Sequence, residues 1–317
     1  MQLLFLGTGA GMPSKARNTS ALALKLLEER GAVWLFDCGE ATQHQILYTT
    51  LKPRKVEKIF ITHMHGDHIF GLPGFLSSRS FQGGDEPLSI YGPPGIKEFV
   101  EMNLRLSKTR LTYDIHFHEN KEGVVFEDEG MIVEAAELAH VIPSLGYRIT
   151  QKPLPPKLLM EKATALGVPK GPLLAELKKG LDITLQDGKV IRSEDVTEPG
   201  DQGFVVAILG DTRYTHASVT LSINADAIVH EATFDAGTQE LAKDFGHSSI
   251  LDAAKVAQEA GAKRLFANHI SARFLPEDAG MLAKQGRAVH PDLVIVQDFA
   301  EYNWQPKTRT WLKNKQD

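Results

Sequence analysis

The chain has 317 residues, 42% hydrophobic and 24% charged, with a formal net charge of −5. That composition supports a buried core without staples, and the acidic balance excludes a generally basic nucleic-acid coat; a polyanionic partner must be met by local patches or by metal. One cysteine, Cys38, excludes an intramolecular disulfide and fits a reducing compartment, so a cytoplasmic location is expected; no leader-like start or membrane-length apolar run is present, so no membrane partner is expected.

Residues 2–6 read as an apolar strand, followed by Gly7-Thr8-Gly9-Ala10-Gly11. The spacing is not G-x-G-x-x-G, and Pro13 interrupts the helix that a dinucleotide site requires, so the glycines are read as a loop permitting close backbone approach. Residues 21–26 and 32–36 predict two strands, the second ending at Asp37, which is placed to support neighbouring loop residues from behind. Helical spacing follows over 40–51, where His44 is read as a surface or partly buried residue.

Next comes the run Ile59-Phe60-Ile61, a buried strand, which leads into His63-Met64-His65-Gly66-Asp67-His68. Three imidazoles and a carboxylate within six positions, at the end of a strand, suit two neighbouring metal ions better than one. With no thiolate nearby they suit zinc, and also manganese or iron.

A strand is expected at 88–91 and a helix over 94–107, with Pro94 in its first turn. His116 and His118 alternate on a strand facing solvent. His140 ends a strand-like run and is the better ligand candidate, ahead of a strand at 145–149.

From about 151 to 200 the alternation fades. Prolines appear, and Lys152, Lys157, Lys162, Lys170, Lys178, Lys179 and Lys189 stand against Glu161, Glu176, Asp182 and Asp187. Short helices are expected over 156–166 and 171–179. The segment is read as an inserted basic arm on one α/β domain covering the whole chain, suited to contact with a polyanion.

The core resumes with a strand at 204–209 ending Gly210-Asp211, and a strand at 227–229 before His230-Glu231-Ala232-Thr233. The loop Gly246-His247-Ser248-Ser249 follows, then a helix over 249–260 that either serine can cap. A strand at 264–267 ends at Asn268-His269. The strand at 293–296 is read as the last, with a polar tail after 303.

His63, His65, Asp67, His68, His140, Asp211 and His269 all lie at strand ends. One ion is expected to take His63, His65 and His140, the other Asp67, His68 and His269, with Asp211 bridging. Two ions about 3.5–4 Å apart suit phosphoryl displacement by water, with no serine or cysteine nucleophile. Asp67 is the expected holder or base of that water; His247 and His230 are the candidate proton donors.

This pattern resembles the metallo-β-lactamase superfamily, whose fold is a four-layer αββα sandwich. Within it, His230-Glu231-Ala232-Thr233 matches the HEAT motif of the ribonuclease Z family, and Gly246-His247-Ser248-Ser249 resembles that family's HST loop, with Ser for Thr at 249. Gly167-Val168-Pro169-Lys170-Gly171-Pro172 resembles its GP-motif arm, and Pro13-Ser14-Lys15-Ala16-Arg17-Asn18 its PxKxRN loop. The resemblance implies a zinc phosphodiesterase with two ions per subunit that removes the 3′ trailer of precursor tRNA, usually as a homodimer, with a flexible arm gripping the tRNA. It implies catalytic roles for Asp67 and His247. Substrate contacts are expected from Arg17, His230, Glu231, Ser248, Lys170, Gly171 and Pro172. Two rivals stand beside it: another metallohydrolase acting on a thioester, lactam or small phosphodiester, which has no use for a basic arm, and an RNA-binding protein without turnover, which has no use for an intact ligand set.

Overall fold

A computed structural model describes residues 1–314 apart from Pro199 and Asp201. Fifteen longer strands build two sheets. The first contains β1 (Gln2–Gly7), β2 (Ala21–Leu26), β3 (Ala32–Phe36), β4 (Val56–Phe60), β5 (Leu88–Gly92) and β6 (Ile115–Glu119). The second contains β7 (Gly123–Glu127), β8 (Met131–Leu138), β9 (Ser144–Gln151), β10 (Val205–Leu209), β11 (Ala227–Glu231), β12 (Leu265–Asn268) and β13 (Leu293–Ile295). Two further strands, β14 (Glu301–Gln305) and β15 (Thr310–Lys313), return to the first sheet. The order is β15-β14-β1-β2-β3-β4-β5-β6 in one sheet and β13-β12-β11-β10-β9-β8-β7 in the other.

The tail read as polar therefore forms a hairpin against β1, where Gln2 pairs with Asn303. Its apolar residues are few but large: Tyr302, Trp304 and Trp311 are all buried, and they alternate with polar residues as a half-covered antiparallel pair requires. The expected helix over 40–51 shortens to Thr42–Ile46, and that over 94–107 starts only at Ile96, after Gly95 adopts φ 98°.

Strand β3 shows why the inner strands read as continuous apolar runs. Every residue of Ala-Val-Trp-Leu-Phe is buried, because both faces are covered. Trp34 and Phe36 meet Phe60 at 5.6 and 5.0 Å between ring centroids, and Phe36 reaches Tyr147 of the second sheet at 6.0 Å. Val33 and Leu35 face the other way, into a cluster with Phe75, Leu76, Ile96 and Val100 of the covering helices. The second sheet has a matching outer layer, in which Ala253, Ala254 and Ala257 of helix Ile250–Glu259 and Leu282 of helix Ala279–Arg287 pack on Ile228 and Leu265. Helix, sheet, sheet, helix is the αββα sandwich. Among the described residues no helix is long and apolar enough to cross a membrane.

Residues 127–132 and 150–204 cluster as a second compact unit. It has a small core of its own, formed by Ala163, Val168, Leu177, Ile183, Ile191 and Val196. Helices Met160–Ala165 and Pro172–Lys178 carry part of this core, and Pro172 occupies the first helical turn, where its missing N–H has no cost. Lys170 and Gly171 are exposed on the loop between the helices, and Pro172 is exposed where the second helix starts. The charge reading needs correction. Over 151–200, Arg192 joins the seven lysines, while Glu194, Asp195 and Glu198 join the four acids, leaving the segment near neutral. The basic excess belongs to its first part, where Lys157, Lys162, Lys170, Lys178 and Lys179 are exposed.

Candidate metal centre

The His loop leaves β4 at Phe60 and closes into a helical turn, Gly66–Ile69. His63 and His65 thus precede the turn, His65 on extended backbone, whereas Asp67 and His68 lie on it. Asp211 follows β10, Glu231 ends β11, His269 follows β12 and His140 follows β8. The carboxyl ends of parallel strands are where such folds place ligands.

The donor atoms converge in two groups. His63 Nε2 lies 3.1 Å from His65 Nδ1, which lies 3.2 Å from His140 Nε2. His68 Nε2 lies 3.3 Å from His269 Nε2, which lies 3.2 Å from Asp67 Oδ2. Asp211 stands between the groups: Oδ2 is 3.7 Å from His63 Nε2 and 3.4 Å from His269 Nε2, and Oδ1 is 3.5 Å from His68 Nε2. Each group could hold one ion with Asp211 reaching both.

The outer hydrogen bonds decide which ring nitrogens carry protons. His68 Nδ1 donates to Asp37 Oδ2 at 2.7 Å, and His140 Nδ1 donates to the Gly246 carbonyl at 2.6 Å. Thr62 Oγ1 donates to Asp37 Oδ2, so it accepts from His63 Nδ1 at 3.0 Å. Thr233 Oγ1 donates to Glu231 Oε2, so it accepts from His269 Nδ1 at 2.9 Å. With Nδ1 so committed, the neutral rings turn Nε2 inward: that of His63 and that of His140 face His65 Nδ1, and that of His269 faces His68 Nε2. Burial, ahead of the other histidines, pushes His63 down to about 2, and burial also lowers His65 and His140. Burial works against charge on His68 too, but Asp211 and Asp37 hold its pKa well above the ordinary value. Asp211 and Asp67 lie well below the carboxylate range in spite of burial, because imidazoles surround them. Nitrogens bound about 2.0–2.1 Å from one tetrahedral zinc lie about 3.3 Å apart, the spacing found here. The residues fit divalent ions.

Behind the ring, Glu231 is a hub. Its Oε1 accepts from the Thr212 backbone N–H and from His247 Nδ1, both at 2.9 Å, and Oε2 accepts from Thr233. Burial opposes the charge on His247, but the Glu231 carboxylate beside it prevails and raises its pKa to about 9. Asp67 Oδ2 accepts the Gly11 N–H at 2.8 Å, tying the first glycine loop to the centre. Gly39 is required by close approach: a Cβ there would stand 2.3 Å from the Asp67 carbonyl. Asp37 and His269 both take left-handed backbone, at φ 56° and 53°, which aims their side chains against the usual preference.

Several expected substrate contacts fall elsewhere. His230 is fully buried; its Nδ1 donates to the Glu231 carbonyl and its Nε2 meets no partner among the described residues, so it stands out of a substrate's reach. Ser248 is buried and donates to the Thr212 carbonyl at 2.6 Å, fixing the Asp211 turn, while Ser249 caps the following helix. Arg17 turns inward, donating to Thr8 Oγ1 and the Val296 carbonyl, and leaves Lys15 as the exposed cation of its loop. Glu231 is buried and acts through His247, Thr212 and Thr233. Thr62 and Thr212, beside His63 and Asp211, were not expected at the site, and Thr233 entered only as the last residue of the His-Glu-Ala-Thr motif.

Comparison with known proteins follows this geometry. A family model described as Anti-Pycsar protein Apyc1 matches residues 1–153, which stops short of Asp211, His247 and His269. The metallo-beta-lactamase fold protein YhfI of Bacillus subtilis shares the fold, with a TM-score of 0.65 and 20% identity over 95% of this chain and 98% of its own. The fold is thus that of the metallo-β-lactamase proteins. The Ribonuclease Z of Anoxybacillus flavithermus is 54% identical over 303 residues, 96% of this chain and 97% of that protein. That of Limosilactobacillus fermentum is 56% identical over 300 residues, with 94% and 97% covered. Human tRNase Z, short form, has a TM-score of 0.69 and 31% identity over 96% of this chain and 99% of its own. The chain belongs to the ribonuclease Z family of endoribonucleases.

If the cluster binds metal, its outer partners set the affinity. Asp37→Asn tolerates the left-handed backbone but removes the charge behind His68. Affinity for zinc, measured by competition with a chromogenic chelator, should fall about 10- to 100-fold. Unchanged affinity would show that His68 is not a ligand.

Proposed function

We propose that the protein removes the 3′ trailer of precursor tRNA by hydrolysing one phosphodiester bond, leaving a 3′-hydroxyl on the tRNA. The observation that carries this is the double cluster of ring nitrogens and carboxylates in a chain so similar to proteins named Ribonuclease Z. His63, His65 and His140 would hold one zinc, Asp67, His68 and His269 the other, with Asp211 shared; manganese or another divalent ion fits the same donors. Bound divalent ions supply water acidified toward a pKa of about 7 and a clamp for phosphate oxygens.

The protein's own groups do the rest. Asp67, anchored by the Gly11 N–H, holds the attacking water and takes its proton. His247, kept protonated by Glu231, gives a proton to the leaving 3′-oxygen. Water adds to phosphorus, the P–O3′ bond breaks, and the phosphate stays on the trailer. The exposed lysines of the second unit, with Lys170 and Gly171 on a loop and Pro172 at the helix start beside it, suit folded RNA, which proteins recognise through shape and phosphate. We include a homodimer acting in the cytoplasm; a sedimentation measurement giving only monomer would remove the dimer.

The first test is to incubate metal-loaded protein with a precursor tRNA and map the ends. A single cut after the discriminator nucleotide, abolished by chelator and by Asp67→Ala, is expected. No cut, beside brisk hydrolysis of small esters, would leave the fold and remove the tRNA assignment.

The arm can be tested by excision. Gln151 N–H donates to the Phe204 carbonyl at 2.9 Å, so residues 152–203 can be replaced by a short Gly-Ser linker without stretching the chain. Cleavage of pre-tRNA should collapse while hydrolysis of bis-p-nitrophenyl phosphate persists; parallel loss would make the segment part of the fold or the centre.

Proton donation predicts a pH signature. Glu231→Gln preserves shape, and Thr233 Oγ1 can redirect its proton to the His269 carbonyl at 3.0 Å. His247 is protonated below its raised pKa, so removing the carboxylate lowers that pKa. The alkaline limb of kcat/KM should move to lower pH. An unmoved limb would assign the titration to another group.

A further inference from the structure

Beside the metal cluster lies an open cavity of about 360 Å³, within the roughly 300–1,000 Å³ range of small-ligand sites. One end is formed by His65, Asp67, Asp211 and His269, where a phosphate would sit, with His247 on the same rim. The lining also carries aromatic and cationic groups. Phe245 lines the cavity with 59% of its surface exposed, although it is a large apolar residue in a protein that buries most of its aromatics. Phe234 lies behind it, buried, with its ring 12° from parallel to Phe245 at 6.4 Å. The Arg273 guanidinium lies 4.6 Å over the Phe234 ring, and its Nε donates to Ser271 Oγ at 3.2 Å.

These walls are held before any ligand arrives. Phe234 is fixed by backbone bonds, its N–H to the Ser248 carbonyl and its carbonyl to the Ile250 N–H. The Arg273 head is clamped between a hydroxyl and a ring face. A lining that joins a seat for phosphate to an exposed π-face and a guanidinium suits a nucleotide. Bases stack on aromatic side chains whatever their identity, and a guanidinium adds a further flat, charged surface.

We propose that this cavity seats the base of the last nucleotide retained on the RNA, stacked on Phe245 with Arg273 beside it. The inference rests on the tRNA reading above. The choice of nucleotide follows from His247: it serves the leaving 3′-oxygen and lies on the same rim as the aromatic wall, with its ring 6.2 Å from Phe234. The nucleotide bearing that oxygen is therefore the one adjoining Phe245. The first trailer nucleotide, on the far side of the phosphate, does not use this wall.

The test is a cycle between protein and substrate. Precursor tRNAs are made intact, abasic at the last retained nucleotide, and abasic at the first trailer nucleotide. Each is cleaved by the metal-loaded protein and by Phe245→Ala and Phe245→Trp, with bound zinc and thermal midpoint checked for all three proteins. With the unaltered protein, the abasic site at the retained nucleotide should raise KM about 10- to 100-fold, the range for one base stacked on one aromatic ring. Phe245→Ala should raise KM for the intact substrate by a similar factor, and the two losses together should be no greater than either alone. Phe245→Trp should keep the intact KM, and the trailer abasic site should add independently to Phe245→Ala. Additive losses at the retained nucleotide, non-additivity at the trailer nucleotide instead, or an unchanged KM in Phe245→Ala would overturn the subsite. Failure of the unaltered protein to cut the intact precursor would remove the tRNA reading and the subsite together, whereas cutting with additive losses removes the subsite alone.

Discussion

The structure depends on a crowd of buried ring nitrogens that need a proton or a cation between them. His63, His140 and His269 each have the outward nitrogen committed to a hydroxyl or carbonyl, so in the neutral ring the inward nitrogen presents a lone pair, whereas the carboxylates of Asp37 and Asp211 favour a proton on both nitrogens of His68. Buried ring nitrogens 3.1 to 3.3 Å apart cost free energy unless a proton or a metal ion lies between them. Asp67 and Asp211 press in the same direction, since both stay ionised despite burial. The folded chain thus gathers donors for positive charge, part of which the proton on His68 supplies, and a bound metal would displace that proton.

Holding that arrangement together requires two sheets in fixed register. The first supplies the His loop and Asp37; the second supplies His140, Asp211, Glu231 and His269. The aromatic layer of Phe36, Phe60 and Tyr147 locks them, and the Tyr147 hydroxyl also donates to the Ile61 carbonyl at 2.6 Å, two residues before His63. A backbone amide crosses as well, Leu145 N–H to the Thr62 carbonyl. Ligand geometry is therefore a property of core packing, and small core losses would be felt at the centre before the fold fails.

Glu231 gives the His-Glu-Ala-Thr stretch a meaning different from direct contact with RNA. It is buried, yet three elements hang on it: the turn that carries Asp211, the hydroxyl that steadies His269, and the imidazole of His247. One carboxylate thus links the Asp211 turn, the Thr233 hydroxyl under His269 and the His247 ring. The same division of labour appears at larger scale. Chemistry is fixed in the sandwich, while residues 150–204 have their own small core and an uneven charge distribution, basic early and acidic late.

Much of this was legible in the sequence because its signals are local. The inner strands read clearly since a strand covered on both faces must be apolar at every position, as Ala32–Phe36 is. The His-x-His-x-Asp-His spacing fixed four of the clustered side chains, and strand ends pointed to His140, Asp211 and His269. The C-terminal hairpin escaped, because Glu301–Gln305 alternates polar with apolar residues and one of its faces is paid no attention by a search for apolar runs. Arg17, His230 and Ser248 were expected to meet substrate, but the direction of a side chain depends on neighbours distant in sequence, and all three turn inward. The sequence by itself determined which residue types were available at which strand ends. Only the tertiary structure decided which nitrogen of His68, His140 and His269 faces the centre, because that is set by hydrogen bonds those rings donate to Asp37, Gly246 and Thr233, partners 31 to 106 residues away.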